Sequence, residues 1–170
     1  MKKTLTTLML MLVSAIVMNA QSLTGKQWCT VLTSEDNVDV AVALTFDKNG
    51  TCELVVGAEH EMKIDGVPIN IVGGVTVPGS YTLNGKDLKM NLNRGKAEVD
   101  IDYEVKGMDA KTKAAMDKQI RGEINGFKKE FKQTMLDGMP KMNNMKIVSL
   151  ESKRLIPKND DGDEIPFYAE

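Results

Sequence analysis

Apolar and polar residues alternate along most of this sequence, which is the pattern of strands that bury one face. The run at 42–46 places Val42, Leu44 and Phe46 on one side, and the run at 98–105 alternates acidic with apolar residues. This period of two predicts half-buried β-strands. Repeated along the chain, it predicts nine strands, at about 26–33, 39–47, 51–63, 67–83, 86–93, 97–106, 146–151, 153–158 and 163–169.

Short turn signals separate many of these strands. The segment 48–50 predicts a three-residue turn with Gly50 in the left-handed conformation, and the segment 64–67 predicts a two-residue hairpin turn. A two-residue turn within 93–96 would place Lys89 opposite Asp100 on the exposed face. Strands joined by such turns are antiparallel neighbours, so the sequence predicts a meander.

Strands of this kind bury their apolar faces when the sheet closes on itself. Closure also removes the free edges that would otherwise pair with other chains. We therefore predict a mainly β fold, an antiparallel up-and-down β-barrel of eight to nine strands, whose interior is filled or holds one small ligand. Four residues within 67–83 predict bulges or sharp bends at barrel corners: Gly73, Gly74, Pro78 and Gly79.

One segment breaks the β pattern. Within 110–136, apolar residues recur every three or four positions, as on one face of an amphipathic α-helix: Ile120, Ile124, Phe127 and Phe131. Asp109 is a predicted N-cap, and Gly138 with Pro140 predicts the end of the helix. We predict one long helical insertion at about 108–138, before the last strands. Gly122 and Gly126 weaken its middle and favour a kink or a split there.

The apolar face of this helix has three interpretations. It packs on the outside of the sheet or plugs one barrel end, it forms a lid over the barrel mouth, or it is an interface for a partner chain or a homodimer. Methionines in and beside the helix favour the lid slightly, because flexible thioethers suit adaptable apolar surfaces. The spacing of Gly122 and Gly126 suits close helix approach, a weak signal outside membranes.

The first twenty residues have the layout of a secretory signal peptide. Lys2 and Lys3 precede a short apolar run at 8–17, and Ala20 ends a small-residue cleavage site. The alternative is a retained N-terminal anchor. The first cysteine, Cys29, lies too far beyond the run for lipid attachment. We expect export to the periplasm or the extracellular space and a single domain at 21–170.

Composition limits the function classes. The formal net charge is −2, so no basic excess predicts a nucleic-acid partner. No later apolar run reaches the length of a membrane span. His60 is the only histidine, and no spacing suggests a nucleophile with a base or a phosphate-binding loop. We expect a protein that is not an enzyme and uses no cofactor.

The sulfur-containing residues leave alternatives open. The segment 135–145 holds four methionines, which predict packing or, as a lesser alternative, a soft-metal site for Cu(I). Cys52 shares the side of Leu54, whereas Cys29 lies on the opposite side from Trp28. A disulfide between these cysteines would need a bulge, because bridging requires converging Cβ atoms. The alternative is two free thiols.

Four segments are distinctive: LTGKQW at 23–28, ALTFDKNGTCELVV at 43–56, VPGSYTLNGKDLKMNL at 77–92 and IVSLESKRLIPKNDDGDEIPFYA at 147–169. Together they resemble bacterial secreted lipocalin-like domain proteins. The resemblance implies a small antiparallel barrel with an apolar-ligand pocket. Two features depart from lipocalins. Two residues rather than one separate Gly25 from Trp28, and the helix precedes the final strands instead of following them.

The functional expectation is an exported, non-enzymatic barrel that binds a small apolar molecule. The inward-facing pocket candidates, which are otherwise plain core, are Trp28, Leu44, Phe46, Leu54, Tyr81, Met90, Ile101 and Tyr103. The alternative is a packed barrel that acts as an interaction or dimerisation module through its helix. The lid or interface candidates are then Ile120, Ile124, Phe127 and Phe131.

Overall fold

The computed structural model describes residues 23–33, 39–64, 66–105, 110–139 and 141–170. The predicted signal peptide and the predicted capping residues Asp109 and Pro140 lie outside these residues. The elements are, in chain order, β1 (Gln27–Thr33), β2 (Asp39–Phe46), β3 (Thr51–Ile64), β4 (Val67–Asn84), β5 (Asp87–Leu92), a 3-10 turn (Arg94–Lys96), β6 (Glu98–Val105), α1 (Ala110–Asp137), β7 (Asn144–Leu150), β8 (Arg154–Asn159) and β9 (Phe167–Ala169).

Eight of these strands close into an antiparallel barrel in the order β1-β2-β3-β4-β5-β7-β8-β9, with β9 returning to β1. The ninth strand, β6, lies outside this ring beside β4. The predicted fold class is therefore confirmed, with a single helix among the described residues placed before the last strands. Gly50 has a φ of +85°, as its predicted turn requires.

The predicted meander is wrong at one connection. β5 pairs with β7 rather than with β6, and β6 returns to the first half of β4. Lys89 consequently lies opposite Asn144, and Asp100 lies opposite Gly74, so the predicted cross-strand pair of Lys89 with Asp100 does not form. The cause is local. The chain after β5 makes a 3-10 turn, capped by the side chain of Asn93, instead of a two-residue hairpin turn.

The glycines of β4 do not mark bulges in its pairing with β3. That register runs without a shift from Ser80 to Val67. Gly79 instead permits a close approach, since a Cβ there would lie 2.7 Å from the backbone oxygen of Asn91 in β5. Pro78 lies where β4 changes partner from β6 to β5, a place where a missing N–H leaves no gap in either ladder.

The barrel interior is filled by large side chains. Trp28, Phe46 and Phe167 are fully buried together with aliphatic residues from the other barrel strands. The indole nitrogen of Trp28 donates a hydrogen bond to the backbone oxygen of Leu23 at 2.9 Å, so its polar atom is satisfied inside the core. The whole cluster of buried residues that contains these three aromatic side chains is called the barrel core below.

The helix α1 runs as one continuous element, without the split that its glycines favoured. Ile120 and Ile124 pack against Ile69, Ile71 and Val105 of the sheet, in a cluster separate from the barrel core. The other end of the helix, with Met135 and Leu136, belongs to the barrel core. The helix therefore packs on the outside of the sheet at one end and joins the barrel at the other.

Candidate ligand-binding cleft

Strands β3 and β4 continue past the barrel as a long hairpin. β2 accompanies β3 only as far as Ala58, whereas β3 and β4 pair on to Ile64 and Val67. β6 lies along the same part of β4, from Ile69 to Thr76. The result is a three-stranded extension in the order β3-β4-β6, and α1 covers one of its faces.

One face of β4 passes without interruption from the barrel core to the underside of the helix. Val75 and Val77 belong to the barrel core, whereas Ile69 and Ile71 belong to the cluster beneath α1. Gly73 lies between these two pairs on the same face, as the period of two requires. The boundary between the two regions is therefore a residue without a side chain.

An aromatic ring packs directly against Gly73. A Cβ on Gly73 would lie 2.5 Å from Cζ of Phe131, so the ring rests directly on the backbone of β4. The ring centroid of Phe131 lies 5.7 Å from that of Phe127, with the planes tilted by 53°. The bare backbone at Gly73 thus lets the helix come close to the sheet, and the two rings form a wall of the space beside it.

Beside these rings, a cleft of about 720 Å³ opens between α1 and the β3–β4 hairpin. A volume of this size suits a small-molecule site. The helix side of the cleft has room because a Cβ on Gly122 or Gly126 would meet no atom within 4 Å. This helix cleft is lined by Ala58, Glu59, His60, Ile71, Gly122, Glu123, Ile124, Gly126, Phe127, Glu130, Phe131, Thr134 and Met135.

Polar groups lie at the rim of the helix cleft. Glu123 and Glu130 flank Phe127 at four and three positions along the helix, so the three side chains share one side of α1. Both carboxylates are exposed, and the Phe127 side chain is 41% exposed. Glu59 also lines the cleft, but its carboxylate accepts a hydrogen bond from Asn70, whose side chain faces the opposite side of the sheet.

Polar contacts fasten the other side of α1 to β6. The Tyr103 hydroxyl donates a hydrogen bond to Asp117, and Nε of Arg121 donates to the same carboxylate at 2.8 Å. The hydrogen bond to Asp117 raises the pKa of Tyr103, because ionisation would remove the donor and place two negative charges together. Lys132 donates to the backbone oxygen of Ala97. The helix is thus held on its β6 side, and the cleft opens on its β3 side.

Most of the predicted pocket residues lie in the barrel core. Trp28, Leu44, Phe46, Leu54 and Met90 are all buried there. A barrel of eight strands is narrow enough for such side chains to fill its interior. These residues are brought together as predicted, but they contact one another, and none of them lines the helix cleft. Their role in binding stays a prediction.

Of the remaining pocket candidates, Tyr81 packs against the edge of the barrel core, and the other two lie beneath the helix. Tyr81 is half buried, its ring meets Phe46 edge-on at 4.9 Å between centroids, and its hydroxyl donates to the backbone oxygen of Asp47 at 3.0 Å. Ile101 and Tyr103 pack on the cluster beneath α1. Their alternation was predicted correctly, but they face the helix rather than the barrel interior, because β6 is not a barrel strand.

The lid or interface candidates on α1 divide by burial. Ile120 is fully buried against the sheet, and Ile124 is nearly so. Ile124, Phe127 and Phe131 all line the helix cleft, and Phe127 is the one with substantial exposure. Sequence reasoning therefore identified three residues of the cleft, and packing on the outside of the sheet was one of its interpretations of the helix. It did not predict the sheet extension that the helix covers.

The methionines at the end of the helix pack into the barrel core. The buried side chains are Met135, Met139, Met142 and Met145. Flexible thioethers suit this position, where a helix end must fit against the inner faces of several strands. The packing role that the sequence favoured is confirmed, and the Cu(I) hypothesis stays a prediction.

Both cysteines are free thiols. Cys52 is buried on the inner side of β3, and burial raises its pKa to about 11. Cys29 is partly exposed, and its pKa is raised by burial and by the neighbouring carboxylate of Glu170. The two side chains lie on opposite faces, as the alternation predicted, which is the physical reason that they are not bridged.

Ten of the thirteen residues that line the helix cleft were missed as site residues. Gly122 and Gly126 were interpreted as weak points of the helix, and His60 was considered only as a possible catalytic base. A usable signal was present in the strand lengths. The predicted strands at 51–63 and 67–83 are much longer than their neighbours, so they had to extend beyond the barrel. The helix was the natural cover for that extension.

Neither the models of known protein families nor the curated proteins give a match to this chain. Within the described residues, no helix has the length and apolar character needed to cross a membrane.

Proposed function

We propose that this protein is a non-enzymatic binding protein that holds a small apolar molecule in the helix cleft. The observation that carries the proposal is the cleft itself, a space of about 720 Å³ walled by Phe127, Phe131, Ile71 and Ile124. The removal of apolar surface from water would drive binding there. The resemblance to secreted lipocalin-like proteins agrees with this class, and export remains part of the proposal.

The position of the site differs from that of the original expectation. A ligand inside the barrel would have to displace Trp28, Phe46 or Phe167, which are fully buried. Displacing such well-packed side chains costs several kcal/mol. A ligand in the helix cleft displaces only solvent, because Gly122 and Gly126 leave the helix side of the space open. The cleft is therefore the better site for an apolar guest.

The test uses N-phenylnaphthylamine, an uncharged dye that fluoresces in apolar surroundings. We expect the dye to bind the wild-type protein and to lose binding at least about tenfold in Gly126→Leu. This change fills the cleft, and its Cβ meets no atom within 4 Å, so the backbone needs no adjustment. Asn125→Leu is the matched control, since it adds the same side chain at an exposed position outside the cleft.

Two results would contradict the proposal. If Gly126→Leu binds the dye as the wild type does, the cleft is not the site. If binding changes the emission of Trp28, the only tryptophan of the chain, the barrel core is the site instead, because Trp28 is fully buried there. Circular dichroism of both leucine variants would establish that the fold is retained.

A second function is favoured by the exposure of Phe127, which is 41%. An exposed aromatic ring on a helix suits an interface with a second copy of the chain. Sedimentation over a range of concentrations measures this directly. A dimer that dissociates in Phe127→Ser, together with no binding of the dye, would favour the interaction module over the binding protein.

A further inference from the structure

The helix cleft has a charge as well as a shape. Its lining contains carboxylates and one histidine but no lysine or arginine. This absence is specific to the cleft, because the described lysines of α1 lie elsewhere on the helix and none of them lines the cleft: Lys111, Lys118, Lys128, Lys129 and Lys132. The side of the helix that faces the cleft is therefore acidic, although the helix as a whole is rich in lysine.

Two of these carboxylates have no cationic partner among the described residues. Glu123 and Glu130 take part in none of the ion pairs formed between described residues. Each lies one helical turn from Phe127, one before it and one after it. The half-exposed ring of Phe127 thus has a negative charge on either side, and its own face carries negative electrostatic potential.

This arrangement would favour a positively charged ligand over a negatively charged one. A cation beside an aromatic face is attracted by the ring quadrupole, and carboxylates nearby add Coulomb attraction. An anion at the same place would be repelled by both. The apolar inner part, with Ile71, Ile124 and Phe131, would accept a hydrocarbon body. We infer that the cleft binds a small organic cation, with its apolar body inside and its ammonium group between Glu123 and Glu130. This inference rests on the proposed function.

Three probes with the same hydrocarbon body isolate the contribution of the charge. Decyltrimethylammonium, decanol and decanoate would each compete with N-phenylnaphthylamine below their critical micelle concentrations. We expect the ammonium compound to compete best and decanoate worst. Added sodium chloride should weaken the binding of the ammonium compound and leave the binding of decanol unchanged, because salt screens exposed charges.

Variants then locate the interaction. Glu123→Gln combined with Glu130→Gln should weaken the binding of decyltrimethylammonium about fivefold and change the binding of decanol by less than twofold. Phe127→Leu keeps an apolar side chain but removes the aromatic face. It should weaken the binding of the ammonium compound about threefold. The matched control is Glu98→Gln combined with Glu104→Gln. It removes the same charge from exposed positions of β6 outside the cleft.

The outcomes separate this inference from the proposed function. If all three probes compete equally and Gly126→Leu abolishes dye binding, the cleft binds apolar molecules without regard to charge, and the inference is wrong while the proposed function stands. If the control variant weakens the ammonium compound as much as the Glu123 and Glu130 pair does, the effect comes from net charge and the inference also fails. If the dye never binds the cleft, both are overturned.

Discussion

The barrel core and the helix-covered extension share the strands β3 and β4, yet they are packed differently. In the barrel core, the sheet closes around three fully buried aromatic side chains, Trp28, Phe46 and Phe167. Beneath the helix, the buried residues are few and aliphatic: Ile69, Ile71, Val105, Ile120 and Ile124. A single helix covers this second cluster, and it leaves an open cleft along one side.

The difference predicts two regions of unequal local stability within one sheet. Regions with fewer buried apolar residues open at a lower free energy than the core of the same protein. We therefore expect the extension to open at a lower free energy than the barrel core. Gly73 marks the boundary, because the ring of Phe131 rests on it between the two clusters.

The largest effect is expected inside the barrel. Phe167→Ala should lower the free energy of unfolding by about 3–5 kcal/mol, because it leaves a cavity in the barrel core beneath β9, the strand that closes the ring. Chemical denaturation measures this loss. Tyr168→Ala is the control, since its side chain is 54% exposed on the same strand and its loss should cost less than about 1 kcal/mol. Equal losses in both variants would show that the barrel core is not the stable region.

A smaller and more local effect is expected beneath the helix. Ile120→Ala should cost about 2–3 kcal/mol, at the lower end for a buried isoleucine, because a helix at an edge can relax towards the sheet. Hydrogen exchange should become faster in α1 and stay unchanged in β1, β2 and β9. Lys118→Ala, an exposed change on the same helix, should leave both the free energy of unfolding and the exchange rates unchanged. Faster exchange throughout the barrel would mean that the two regions unfold as one.

The smallest effect is expected at the boundary. Gly73→Ala should cost about 1–2 kcal/mol, because the new methyl group displaces the ring of Phe131, which can move at its far end. A double-mutant cycle with Phe131→Ala checks the cause. The glycine change should cost almost nothing once the ring is absent. An unchanged cost in that background would place the strain in the β3–β4 hairpin rather than in the contact with the helix.

The strands and the helix could be predicted because each depends on a local period. Alternation identified β6 and the residues on its buried face, Ile101 and Tyr103. The spacing of three and four identified α1. The partner of β6 could not be predicted in this way. Alternation tells which side of a strand is buried but not which strand lies beside it, and β4 is long enough to have two partners in succession.

The helix cleft could be predicted only in part. Ile124, Phe127 and Phe131 were identified because they are apolar at helical spacing. The open space beside them arises from what is missing, namely side chains at Gly122 and Gly126. Sequence alone cannot distinguish a glycine that leaves room for a ligand from one that weakens a helix, because that depends on the surface the helix packs against.

The pairing of β1 with β9 also governs when this protein can fold. Trp28 in β1 lies opposite Ala169 in β9, so the first described strand finds its second partner only when the last one is available. During synthesis, β9 leaves the ribosome after every other described strand. Until then β1 and β8 present unpaired edges, which are sites for wrong association. The ring of eight strands can therefore close only after the three-residue strand β9 has emerged.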